Sequence, residues 1–190
     1  MLLRRRFPKI ETRVAETSRG FEHVDPKSIA VIRWLQASRI EFVLVGPVAE
    51  AIRGQGRTSA PVAIVPAPYV RNYERLARAL WSAHGRLRID LDAHAPSGAD
   101  TMPVKMTAEK LSRGQRWTFR VGAYDVDVEG RAPDDPGYQE LLYEASRFDV
   151  AEGVAAEVAS PEDIEHYAHL KRTGTAPEIH ISRSARVEQD

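Results

Sequence analysis

The chain has no cysteine, which excludes disulfides, thiolate metal sites and cysteine nucleophiles. It also has no apolar run near the ~20 residues that a membrane-spanning helix needs. Net charge is missing as well: 27 Lys and Arg stand against 27 Asp and Glu, so no global field draws the protein to nucleic acid. The opening Met1-Leu-Leu-Arg-Arg-Arg-Phe7 is basic but leads into no apolar segment, unlike a secretory signal. With neither cysteine nor an export signal, the expectation is a cytoplasmic protein with no membrane partner. There is no Gly-Lys-Ser phosphate loop, no serine–histidine–acid arrangement for hydrolysis and no internal repeat. Gly54-x-Gly56 follows a helical pattern, whereas a dinucleotide loop opens a helix after a strand.

What is present is an ordinary globular composition, 43% hydrophobic over 190 residues, enough for one domain with a core. The first 24 residues read as a mostly irregular basic arm, 25–174 as the domain, and 175–190 as a polar tail. Asp25-Pro26 sets a helix start, with aspartate as N-cap and proline at the first helical position. Ile29, Val31, Ile32, Trp34, Leu35 and Gln36 follow at helical spacing. Phe42–Val45 suits a strand buried on both faces, Val48–Arg53 a short helix, and Val62–Val65 a second strand. A helix is predicted over 69–84 with Val70, Tyr73, Leu76, Ala77 and Leu80 on one face, then a strand over 87–91, a loop over 95–104 and a short helix over 108–111. Two hairpins are predicted, Trp117–Val121 with Tyr124–Val128, and one turning at Glu152-Gly153. A helix over 138–146 lies between them, and another runs from Ser160-Pro-Glu-Asp163 to Gly174. The class is α/β with a mixed sheet flanked by helices.

The most informative passage is Glu41-Phe-Val-Leu-Val-Gly46-Pro47, an apolar strand ending at a glycine where a helix begins. Arg57-Thr-Ser59 and a second strand, Val62-Ala-Ile-Val65, come soon after. This order, over about 29–174, resembles the nucleotidyltransferase superfamily in its minimal, abortive-infection-type bacterial branch. The resemblance implies a mixed, twisted sheet flanked by α-helices. It also implies a phosphate site at Gly46, Pro47, Arg57 and Ser59, with Lys171 of the closing helix reaching the triphosphate. In that family Asp-x-Asp on the second strand, with a third carboxylate from a later strand, holds two Mg²⁺ ions for attack on the α-phosphorus of an NTP. Alternate residues of a strand share a face, which is why the pair is spaced i, i+2.

Here the positions matching that pair are Pro61 and Ala63, and no acidic residue lies between Glu50 and Glu74. Pro47 replaces a residue that would offer an N–H or a hydroxyl. Asp125, in Gly122-Ala-Tyr-Asp125, matches the third carboxylate, and Asp127 follows on the same face. Asp90, Asp92 and His94 have one-face spacing and are weaker metal candidates. His166 and His169 beside Glu162 and Glu165 read as a solvated helix face rather than a zinc site. Asp125 and Asp127, read without the resemblance, suit the solvated face of an edge hairpin.

The expectation is a degenerate, non-catalytic binding or regulatory member, requiring no cofactor and linked by family analogy to toxin–antitoxin or phage-defence systems. The alternative is an active Mg²⁺-dependent transferase using Asp125 and Asp127, with Asp90 or Asp92. A third possibility is a purely structural interaction domain, with Pro61 and Ala63 packed where metals would sit. An NTP and a protein are the candidate partners.

Overall fold

A computed structural model describes residues 10, 18–55, 61–88, 101–130 and 136–173, the last four of these without their side chains. Asp25 caps α1 (Pro26–Ala37) as the sequence predicts, its carboxylate accepting from the Lys27 N–H at 2.8 Å. α1 buries Ile29, Val31, Ile32, Trp34 and Leu35. β1 (Phe42–Val45) leads directly into α2 (Gly46–Ile52), two residues earlier than the apolar pattern alone places the helix. Next come β2 (Val62–Pro66), α3 (Val70–Ser82), β3 (Arg86–Arg88), β4 (Thr101–Pro103) and α4 (Ala108–Leu111). The hairpin β5 (Trp117–Val121) and β6 (Tyr124–Val128) precedes α5 (Tyr138–Glu144), β7 (Ser146–Ala151), β8 (Val154–Val158) and α6 (Pro161–Thr173).

The eight described strands form one sheet in the order β4-β3-β5-β6-β2-β1-β8-β7. β1 runs antiparallel to β2 but parallel to β8, and β2 runs parallel to β6, so the sheet is mixed. β1 and β2 occupy its middle, and every residue of both is buried. That burial explains their unbroken apolar runs, since a strand covered on both faces has no polar side to alternate with.

Four expectations need correction. Thr101–Pro103 is a strand, not loop: its pairing with β3 defines it, and three residues are too few to show a period. α5 ends at Glu144, and Ala145 is extended, so Ser146 opens β7 instead of closing the helix. Val70 is 68% exposed, because it is the first residue of α3 and precedes the turn that docks. The β5–β6 hairpin does not carry its aspartates on an edge, because β6 lies between β5 and β2. Of the strand expected over 87–91, residues 89–91 lie outside the described residues.

Buried Asn72 of α3 joins three segments. Its side chain accepts from Glu41 N–H at 2.9 Å and donates to Glu41 C=O at 2.8 Å and Ala67 C=O at 3.1 Å. The start of β1, the end of β2 and α3 are thus fastened at one point. Beyond the capped helix, residues 18–24 also lie on the domain. Ser18 N–H donates to Val150 C=O of β7, Phe21 meets Phe148 edge-on, and Val24 is buried.

Candidate functional site

The site is built where β1 ends. Gly46 has φ +69°, a left-handed conformation that L-residues with a Cβ adopt only at a cost. It lets the chain leave β1 and enter α2 without an extended linker. The space ahead of Gly46 is taken by Ala63: a Cβ added to Gly46 would lie 3.3 Å from the Ala63 Cβ. Across the sheet, Val45 pairs with Ala63 and Ala63 with Asp127. The glycine turn, the position matched to a metal ligand and a β6 carboxylate therefore form one row on adjacent strands. Ala63 is 3% exposed and offers that row only a methyl group. Pro61, one position outside β2, likewise has no side-chain donor atom.

Asp125 and Asp127 sit on β6 facing β5, where the tight turn at Gly122-Ala123 fixes the register. Arg120 pairs with Asp125 and Thr118 with Asp127. Arg120 grips both Asp125 oxygens through Nε and Nη2, the latter at 3.0 Å, and Arg88 of β3 adds a bond of 3.0 Å to Oδ2. Asp127 is 3% exposed. It accepts from the Thr118 hydroxyl at 2.8 Å and lies 3.9 Å from Arg116 Nη2. That same guanidinium meets Glu129 at 3.0 Å. Bidentate arginine–carboxylate pairs are among the stronger polar contacts a protein makes. A partly buried carboxylate held in one is committed to its guanidinium, and a divalent cation would meet that cation's positive charge.

A Mg²⁺ site of two ions needs a bridging set of oxygen ligands. Among the described residues the candidates do not fit one: Pro61 and Ala63 supply none, Asp125 is gripped by Arg120 and Arg88, and Asp127 accepts from the Thr118 hydroxyl with Arg116 3.9 Å away. Among the described residues no group of three or more His, Asp or Glu side chains converges to hold a metal ion. His166 and His169, with Glu162 and Glu165, are exposed on α6 and form no such group. Arg57, Ser59, Asp90, Asp92 and His94 lie outside the described residues, as does the side chain of Lys171.

Neither protein-family models nor curated proteins match the chain. Two cavities bear on what the protein binds. The one beside the start of α1, about 120 Å³, has Asp25, Lys27, Pro61, Val62, Tyr124 and Asp125 among its walls and none of Gly46, Ala63 and Asp127. Ligand pockets for drug-sized molecules hold about 300–1,000 Å³, so a nucleoside triphosphate is too large for it. The second, about 320 Å³, lies between α2 and α6. Its size is adequate, but Glu50, Glu162 and Glu165 line it and repel a triphosphate.

Sequence reading missed Arg88, Arg116, Thr118, Arg120 and Glu129. The signal was available for four of them. Arg116-x-Thr118-x-Arg120 and Asp125-x-Asp127-x-Glu129 flank a two-residue turn, and counting outward from that turn pairs each with its partner. Elsewhere, burial and the nearby Glu41 and Glu157 carboxylates raise the Tyr138 pKa, while a hydrogen bond to Glu41 raises that of Tyr69. This cluster surrounds the start of β1, opposite Gly46, and has no part in the row.

Proposed function

We propose that the chain is a nucleotidyltransferase-fold protein that has lost metal-dependent transfer and acts as a non-catalytic binding or regulatory member. The observation that carries this reading is the substitution of ionic partners. Where transfer chemistry needs aspartates free to hold Mg²⁺, Asp125 and Asp127 hold Arg88, Arg120 and Arg116, and Ala63 fills the space beneath Gly46. The order of strand, glycine turn, helix and strand supports the family reading, as does the adjacency of Gly46, Ala63 and Asp127. The cavity beside α1 is small and the one beside α6 acidic, so neither suits an NTP. A toxin–antitoxin or phage-defence setting follows from family analogy alone.

A purely structural interaction domain is the second reading, favoured by the closure of the row by Ala63. Both readings expect no incorporation of labelled nucleotide from any of the four NTPs with Mg²⁺, by wild type or by Asp125→Ala. Mg²⁺-dependent incorporation that disappears in Asp125→Ala would sink both. Calorimetric titration with each NTP separates the two: micromolar binding unaffected by Mg²⁺ leaves a regulatory ligand site and removes the purely structural reading. Binding that strengthens with Mg²⁺ points to a rebuilt metal site.

A further inference from the structure

The zero net charge conceals an uneven distribution along the sheet. Residues 70–130 contain ten Lys and Arg against eight Asp and Glu, while residues 138–173 contain three against eight. The first stretch builds α3, β3, β4, α4, β5 and β6, and the second builds α5, β7, β8 and α6. The strand order puts β4-β3-β5 at one end and β8-β7 at the other. The second end is anionic. At the first, Arg75, Arg88, Arg113, Arg116 and Arg120 are ion-paired. Arg71, Arg78 and Lys105 remain there as exposed cations without an ion pair among the described residues.

The first end also has an exposed aromatic ring. α3 turns Leu76 and Leu80 into the core and presents Arg71, Glu74, Arg78 and Trp81 on the opposite side, spaced along one helical face. Trp81 is 68% exposed, whereas Trp34 and Trp117 are buried. Among the described residues neither Arg71 nor Arg78 forms an ion pair with a carboxylate. α4 packs against α3; the exposed Lys105 lies just before it, while Arg113 just after it is paired with Glu109 at 2.8 Å. Arg71 and Arg78 are about 10 Å apart along the helix axis at the α-helical rise. Cations in a row next to an exposed ring suit a flexible polyanion whose bases can stack.

We propose that this end, centred on Arg71, Arg78 and Trp81 of α3 with Lys105 beside α4, binds single-stranded nucleic acid. The cations contact phosphates, and Trp81 stacks on a base. The surface uses none of the Gly46–Ala63–Asp127 row, so the proposal is independent of what that row does. Recognition of this kind is tolerant of sequence, because every base offers a π-face.

The test is fluorescence anisotropy of the full chain with a labelled mixed-sequence single-stranded RNA, repeated over a salt series. Three phosphate contacts predict a log–log salt slope of about −2. Arg71→Glu with Arg78→Glu, both on an exposed helix face, should weaken binding at least ten-fold and flatten the slope. Trp81→Ala should cost five-fold or more, and Trp81→Phe should restore most of the affinity. In wild type, RNA should quench the emission of the exposed tryptophan, and Trp81→Phe should abolish that quenching. Glu162→Gln with Glu165→Gln, at the anionic end, should leave the slope unchanged. Three results would overturn the proposal: no binding at low salt, equal binding by the charge-reversed variant, or tighter binding to double-stranded than to single-stranded nucleic acid. A salt-sensitive self-association of the free protein that leaves added RNA unbound would overturn it too.

Discussion

Gly46 shows how one residue can fix the character of a site. Its positive φ and the methyl of Ala63 ahead of it are separate constraints, and substitution can pull them apart. Gly46→Ala should lower stability by about 1–3 kcal/mol in urea unfolding, from left-handed strain plus the close contact. Pairing it with Ala63→Gly should return only the contact share, so most of the loss should persist. Full recovery in the double variant would mean that backbone conformation contributes little. The role of Gly46 as a turn was legible in the sequence, because an apolar strand stops there and a helical pattern begins. What Ala63 does was not, since only the antiparallel register of β1 with β2 places it opposite Val45 and under the turn.

Between elements, the joints rest on buried polar groups that a hydrophobic pattern ignores. Asn72 reads as an unremarkable residue of an amphipathic helix, yet its amide satisfies both backbone groups of Glu41 and the carbonyl of Ala67. Asn72→Ala leaves these groups without their partner. Each buried orphan costs about 1–3 kcal/mol, and partial hydration should hold the total to about 2–4. The expected signature is a lower urea midpoint with an unchanged m-value; a loss under 1 kcal/mol would show that water replaces the amide. Arg53 makes a comparable joint, donating to Ala159 C=O at 2.7 Å and Val158 C=O at 3.1 Å while its guanidinium lies over Phe148. The hairpins were legible because alternation and turn residues are local. β4 was not, since three residues become a strand only through β3.

Across the whole molecule, the sheet should not be equally stable from end to end. β1 and β2 are central and fully buried, whereas β4 is a three-residue edge with no buried residue. Amide hydrogen exchange should be slowest in β1 and β2 and fastest in β4, where opening is local. Comparable protection of β4 would mean that something covers that edge. Topology was the level least legible in the sequence. The α/β class follows from alternating patterns, but the order β4-β3-β5-β6-β2-β1-β8-β7 depends on long-range pairing that no local window contains. The zero total of charge holds, yet a total over the chain averages away what strand order keeps apart. One practical consequence concerns handling. At its isoelectric point near 7.0 this protein presents exposed cations at one end and an acidic surface at the other, so in dilute buffer it should adhere to cation- and anion-exchange resins alike. A single retention measurement would then misjudge it as either acidic or basic, according to the column chosen.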